Sequence, residues 1–415
     1  MFACRRPSLR GTVTDDASVV RARAAQVLEA DALLTSSTIE ERARWLAEAA
    51  SAVAHKAHDR RDALAEATGL SVPMIEWATR TTLGTITEDA MLALARDTSM
   101  EIGRASEPIS MLSMVLAGNV FTASVRGIVV PLLFGIPVLV KTSSRETMFP
   151  SMLRDALRLA DSGLGAAMSL VAFPGGDIEC EAALIESAEA VSVYGSDETL
   201  AAISSRAPDT RLIAHGHGVS VAYCGASALD DANIGNTIDG VSLDICAYDQ
   251  RGCLSPQIVY VQETPQCSAA DFAARLATEG LGPRSRSLPR GPLPMAVGAA
   301  QAQWRGMAEV EGALLRGDTY AVAIREAVPI RWSPAYRNVT VAAVRDIDEA
   351  IEAMLPIGTN LKCVGANSAS ISEIETRLGS SAALHAYACA IGSMQTPPLD
   401  APADGYPIWH GLFRA

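Results

Sequence analysis

Residues 15–100 are rich in Ala, Arg and Glu, with apolar positions at helical spacing, and predict a run of helices. Thr38-Ile-Glu-Glu-Arg reads as a helix start, followed by Leu46 and Ala49 on one face. The pattern changes at residue 111. Met111 to Ala117 is a short apolar run closed by Gly118 and Asn119, which predicts a buried strand ending in a turn. Residues 120–135 predict a helix, and Pro137 to Val140 a second strand with Lys141 at its end. Met152, Leu153, Ala156, Leu157 and Ala160 make 147–161 an amphipathic helix. Leu170 to Phe173 and Ala190 to Val193 predict two more strands, the last running into Tyr194-Gly195-Ser196. Buried strands alternating with helices predict a mostly parallel, doubly wound α/β sheet. Such sheets bind ligands beyond the C-terminal ends of their strands. Asn119, Lys141, Ser143, Arg145, Gly195 and Ser196 all fall at such ends.

A chain of 415 residues exceeds one ordinary core. After residue 240 the pattern restarts, and a second α/β unit runs to about residue 380. The expected division is 1–240 for the N-terminal helices and a cofactor domain, 241–384 for a catalytic domain, and 385–415 for a segment that returns to the first domain and serves oligomerisation. Residues 281–295, rich in Pro, Arg, Ser and Gly, predict an exposed loop. Gln395 to Pro407, with four prolines, predicts an extended tail. The formal net charge of -13 argues against non-specific binding to nucleic acid or anionic membrane. Local basic clusters remain at Arg5, Arg6 and Arg10, at Lys56, Arg60 and Arg61, and at Arg284, Arg286 and Arg290. The eight cysteines are scattered without a C-x-x-C pair, which reads as reduced thiols and neither a disulfide framework nor a metal site. Met1 to Arg10 lacks the apolar core of a signal peptide. The most apolar run, Gly127 to Val140, spans fourteen residues and holds two prolines, too short to cross a bilayer. A cytoplasmic protein is the expectation.

The chemistry concentrates at residues 249–261. Gly252 permits a sharp turn, Pro256 stops a helix, and Ile258 to Val261 are strand formers. Cys253 is thereby held at the mouth of a strand, where a nucleophile can meet a carbonyl. Asn119, Lys141, Gly195-Ser196 and Cys253 follow one another in an order that resembles the aldehyde dehydrogenase superfamily. The closer resemblance is to its acyl-CoA reductase branch, the LuxC-type reductases that make fatty aldehyde for bacterial luciferase. Ala117 to Asn119, Leu139 to Arg145, Asp249 to Pro256, Met394 to Asp400 and Asp404-Gly405 carry it, across roughly residues 100–410.

The resemblance implies an aldehyde-dehydrogenase-like fold and a set of roles. Cys253 attacks a thioester, coenzyme A leaves as its thiolate, and a reduced nicotinamide converts the acyl-cysteine to the aldehyde. Asn119 and the Cys253 N–H form the oxyanion site. A plain turn asparagine is the other reading of Asn119. Lys141 meets the adenosine ribose, and Gly195 and Ser196 approach the pyrophosphate at a helix N-terminus. NAD-preferring relatives often carry a glutamate three residues after this lysine. Here that position is Ser144, followed by Arg145, which favours NADPH. Hydrolytic relatives carry a base in a Glu-Leu-Gly-Gly segment. The corresponding stretch, Ala214 to Gly218, reads Ala-His-Gly-His-Gly and holds no carboxylate. His217 or His215 is either a proton relay for Cys253 or part of a solvated Gly-rich turn. Arg337, near Ser333-Pro334, either touches the coenzyme or acyl chain or is a loop arginine. Glu326 is left without a role.

The implied activity is NADPH-dependent reduction of a medium- or long-chain acyl thioester to the aldehyde. The donor is acyl-CoA, or an acyl chain on a carrier protein or a partner acyl-transferase. For an acidic carrier the Arg284, Arg286 and Arg290 segment is the expected contact surface. An acyl-phosphate reductase would need a basic phosphate pocket. A non-catalytic scaffold would have no use for Cys253. The superfamily's habits imply a homo-oligomer.

Overall fold

A computed structural model describes residues 14–103 and 106–414; Cys4, Arg5, Arg6 and Arg10 lie outside the described residues. The apolar runs from residue 111 onward become parallel strands β1 (Leu112–Val115), β2 (Val138–Lys141), β3 (Met168–Val171) and β4 (Ala190–Tyr194). A further strand, β5 (Arg211–His215), lies at the sheet edge with Arg211 and Ala214 exposed, so no apolar run marks it in the sequence. The order is β3-β2-β1-β4-β5. β1 and β2 are buried at every position because helices cover both faces, and strands so placed read as continuous apolar runs. The winding reverses between β1 and β4, so a crevice opens beyond their C-terminal ends. Asn119 follows β1 and Gly195 follows β4.

The N-terminal helices brace this sheet. Thr38 caps helix Ile39–Asp59 reciprocally with Glu41, as the helix-start motif predicts. Arg42 on that helix is buried and donates from Nε to the Leu133 carbonyl at 2.8 Å. That bond satisfies the last turn of helix Ser124–Leu133, the helix that leads away from Asn119.

The second sheet holds β6 (Val219–Cys224), β7 (Pro256–Gln262), β8 (Ala313–Arg316), β9 (Ala321–Arg325), β10 (Asn338–Val344), β11 (Leu361–Ala366) and β12 (Tyr387–Ala390). Its order is β12-β11-β6-β7-β10-β9-β8, parallel except for the antiparallel β8–β9 hairpin. The change of sheet therefore falls between His215 and Val219, earlier than the 240/241 division expected from sequence. β6 is short and apolar like the strands before it, and nothing local tells which sheet it joins. β12 likewise belongs to the second sheet, so the return begins after it. There the Ile109 N–H donates to the Leu412 carbonyl at 3.0 Å, and Arg414 pairs with Glu189 at 2.7 Å.

Two expected loops are more ordered than their composition suggests. Gly282–Ser287 is helical and Leu288 is buried. Arg284 pairs with Asp239 at 2.5 Å, and Arg290 is half-buried near Asp249 and Arg337. Of the proposed basic contact surface only Arg286 is exposed. The Pro-rich tail folds back in a turn bridged between Ala403 and Tyr406 and is not extended. No helix among the described residues is long and apolar enough to cross a membrane.

Candidate active site

The loop that carries Cys253 begins with an unusual backbone. Tyr248, Asp249 and Gln250 have φ of 50°, 55° and 59°, left-handed values that non-glycine residues rarely adopt. Each is held by its side chain. Tyr248 Oη lies 2.7 Å from Thr122 Oγ1 and 3.2 Å from Thr82 Oγ1. Asp249 pairs with Arg337 at 2.6 Å, with both side chains essentially sealed from water. Gln250 accepts from the Asn338 N–H at 2.9 Å and donates to the Pro256 carbonyl at 2.8 Å. Ala335, Tyr336 and Arg337 form a facing left-handed triplet, with φ of 56°, 52° and 68°. Arg337 is fully buried in this clamp and does not reach toward a coenzyme or acyl chain, which corrects that expectation.

The clamp delivers Cys253 to a solvent-accessible position at the start of β7. Its carbonyl accepts from Ser220 Oγ at 2.8 Å, tying the turn to β6. Water reaches the residue, yet the surrounding protein mass disfavours the thiolate. Burial, with the Asp404 charge added, pushes the thiol up to about 11; Lys362 opposes the rise. Asn119 is brought to this loop, its Nδ2 donating to the Arg251 carbonyl at 3.1 Å. An amide has two N–H groups, so one stays free for an oxyanion beside Cys253.

Two residues that the sequence reading missed complete the surroundings. Asp404 in the tail and Lys362 on β11 lie 2.5 Å apart (Oδ1 to Nζ), and His215 Nδ1 lies 2.6 Å from Asp404 Oδ2. The stretch Ala214 to Gly218 holds no carboxylate, but the fold supplies one from the tail. Burial alone would raise the Asp404 pKa, but His215 and Lys362 outweigh it, so the carboxyl sits below its ordinary range. His215 also stacks on Tyr194 with centroids 4.1 Å apart. His217 is exposed, with its backbone N–H 3.2 Å from Asp197 Oδ1. The inward-facing histidine is His215. Between helix Ser124–Leu133, β4, β5 and the tail lies a cavity of about 270 Å³, lined by Val130, Pro131, Tyr194, His215, Asp404 and Tyr406 among others.

Comparison with known proteins settles the family. An acyl-CoA reductase (LuxC) family model matches residues 78–407. The chain belongs to the LuxC acyl-CoA reductase family. It is an oxidoreductase of aldehyde-related chemistry. Solved structures of aldehyde dehydrogenases share its fold. One from Physcomitrella patens, solved with succinate, is 12% identical, with TM-score 0.72 over 97% of this chain and 90% of that one. Aldehyde dehydrogenase C of Pseudomonas syringae, solved as a mutant with NAD+ and octanal, is 16% identical, with TM-score 0.69 over 91% and 82%. A glyceraldehyde-3-phosphate dehydrogenase from Methanocaldococcus jannaschii, solved with NADP, is 13% identical, with TM-score 0.66 over 93% and 88%. No curated protein sequence matches the chain.

In this acyl-CoA reductase the expected cofactor residues lie at or just after the C-terminal ends of β2 and β4. Lys141 is buried at the end of β2, with Nζ 5.1 Å from the Phe173 ring centroid and 3.5 Å from the Thr142 carbonyl. Burial lowers its pKa, against the nearby Glu181. Its ammonium has three donors and this one long hydrogen bond, so it retains capacity for a ribose hydroxyl. Ser143 Oγ accepts from the Arg145 N–H at 3.2 Å and packs on Gly118, where a Cβ would come within 2.3 Å of it. Ser144 and Arg145 are exposed. Ser196 caps helix Asp197–Arg206, its Oγ accepting from the Thr199 N–H at 3.4 Å. The acidic Asp197 and Glu198 occupy that first turn, so a pyrophosphate there would rely on backbone N–H groups and not on side-chain charge.

Proposed function

We propose that the enzyme reduces an acyl-CoA thioester to the aldehyde with NADPH, through an acyl group carried on Cys253. The observation that carries this reading is the clamped, solvent-accessible Cys253 beside Asn119, in a chain of the acyl-CoA reductase family. Cys253 attacks the thioester carbonyl. The oxyanion takes hydrogen bonds from the free Asn119 N–H and the Cys253 backbone. Expulsion of the coenzyme A thiolate leaves the acyl-cysteine. When bound, the reduced nicotinamide supplies hydride to that carbonyl. Collapse of the resulting oxyanion releases aldehyde and restores the Cys253 thiolate. Lys141 holds the adenosine ribose, and Gly195 and Ser196 face the pyrophosphate. Exposed Arg145, with Ser144 where a glutamate would repel, receives the 2′-phosphate.

The enzyme acts in solution as a homo-oligomer, with free acyl-CoA as donor; the pairing of Arg284 removes the main argument for a carrier-protein dock. The test is oxidation of NADPH and of NADH with a series of acyl-CoA chain lengths, alongside intact mass. Aldehyde release and an acyl mass on Cys253, lost in Cys253→Ala, are the expected results. Turnover that survives Cys253→Ala would overturn the mechanism.

A further inference from the structure

Three side chains from distant parts of the chain meet, and two of them, Asp404 and Lys362, lie within electrostatic reach of Cys253. His215 ends β5, Lys362 lies on β11, and Asp404 comes from the tail. The Asp404 carboxylate can only accept, so His215 Nδ1 carries the proton in that 2.6 Å bond, which leaves Nε2 as the ring nitrogen that can take up or release a proton. Among the described residues Nε2 has no hydrogen-bond partner. The ring is fixed by Tyr194, which stacks on it with the planes 16° apart. The carboxylate is fixed as well. Asp404 has a left-handed φ of 54° and Gly405 one of 82°, and a Cβ at Gly405 would come within 2.5 Å of the His385 carbonyl. Asp404 and Lys362 both lie within electrostatic reach of Cys253, and Tyr194, on which His215 stacks, feels Cys253 and Asp404 together.

We propose that His215, oriented by Asp404, is the base that takes the Cys253 proton and hands it to the departing coenzyme A thiolate. This rests on the thioester reading above. The Sγ–H proton moves to His215 Nε2 as the bond from Sγ to the acyl carbon forms. The bond from that carbon to the coenzyme A sulfur then breaks, and the sulfur leaves with the electron pair and takes the proton from Nε2. The ring ends neutral, and nothing is oxidised or reduced. Asp404 is a positioning residue that stabilises the transient imidazolium. Lys362 keeps Asp404 ionised, so the proton stays on the ring. The need for a base is plain from the thiol itself. With its pKa pushed up to about 11, Cys253 would be thiolate to only on the order of one part in ten thousand at pH 7.

A relay and a simple charge effect predict opposite signs. If Asp404 only repels the thiolate through space, removing its charge makes Cys253 more reactive. If it orients His215, removing it makes Cys253 less reactive. The experiment follows alkylation of Cys253 by iodoacetamide in the full chain near neutral pH, read by peptide mass, for the parent, Asp404→Asn and His215→Gln. Both variants are expected to react about tenfold or more slowly. Asparagine tolerates the left-handed backbone, so Asp404→Asn decides the matter should His215→Gln fail to fold. Alkylation of Asp404→Asn at the parent rate or faster would overturn the relay. Iodoacetamide needs no thioester, so the two readings fail separately. Slowed alkylation with no acylation of the parent by decanoyl-CoA keeps the relay and sinks the substrate. Acylation of the parent with unslowed Asp404→Asn alkylation does the reverse.

Discussion

Arg337→Met tests whether the buried ion pair holds the nucleophile loop. Arg337 and Asp249 are 0% and 1% exposed and meet at 2.6 Å. Methionine fills much of the arginine's volume but leaves the Asp249 carboxylate buried with only the Gly291 N–H, 3.0 Å away, in direct contact. Breaking a buried pair of this kind costs about 3–5 kcal/mol, an upper figure here because half-buried Arg290 lies near Asp249. Set against a total stability of roughly 5–15 kcal/mol, that is a large share. The loss should also reach the loop. Tyr248, Asp249 and Gln250 each sit in a left-handed conformation costing about 1–2 kcal/mol, which persists only while their side chains are anchored. Urea unfolding of the parent, of Arg337→Met and of Asp249→Asn/Arg337→Met measures this, with the Cys253 acylation rate as the local readout. The single variant should lose about 3–5 kcal/mol and most of its acylation rate. The double variant, with no charge left buried, should regain a good part of the stability. A single variant within about 1 kcal/mol of the parent, or a double variant no better than the single, would refute the reasoning.

Ser144→Glu restores a carboxylate beside the adenosine ribose and should move the NADPH:NADH ratio of kcat/KM toward NADH; an unchanged ratio would show that Arg145 and Ser144 do not read the 2′-phosphate. Asp244 is buried and accepts from the N–H groups of Gly392 at 2.6 Å and Met394 at 3.1 Å, so Asp244→Ala should cost about 1–3 kcal/mol per orphaned donor. It should also expose the tail to limited proteolysis, and resistance equal to the parent's would count against the anchor. Glu189 is held down to about 2 by Arg414, with help from the Ser110 N–H and against some burial. Its carboxylate thus supports the fold above the ordinary value of 4.5, and the support fades as the pH falls from there toward 2. Protection factors for hydrogen exchange at Ile109 and Arg414, taken against the intrinsic rate at each pH, should fall across that window in the parent but not in Glu189→Gln.

The first sheet was largely legible because its strands are buried on both faces. β1, β2 and β4 appear as apolar runs, and their C-terminal ends fall close to where the sequence puts them. Cys253 was legible for a different reason, since Gly252 and Pro256 bracket it locally. The His215 partnership was not legible. Asp404 and His215 are far apart in sequence, and each is ordinary in its own neighbourhood. A hint existed in Asp404-Gly405, an Asp-Gly pair inside a Pro-rich tail, but only the fold says what that turn approaches. Arg337 failed in the opposite direction. A polar residue after Ser333-Pro334 looks like a loop residue, and its burial follows from a salt bridge to Asp249 that no local pattern announces. The Arg284, Arg286 and Arg290 segment shows that composition misjudges exposure where charges find partners.

The placement of Asp404 bears on why an acyl-cysteine here would meet hydride and not water. A carboxylate that activates water needs an available lone pair and a pKa high enough to hold the proton. Asp404 has neither in good measure. One oxygen faces His215 and the other Lys362, and the pair keeps the carboxyl below its ordinary range despite burial. The same two contacts that make it a poor base for water make it a good brace for an imidazole. The histidine it braces then serves the thiol, and the departing thiolate takes the proton away with it. In the proposed reading, a tail-borne, ion-paired aspartate stands in for the chain-local glutamate of hydrolytic relatives and acts only through His215, while the nucleophile and its oxyanion donors stay in place.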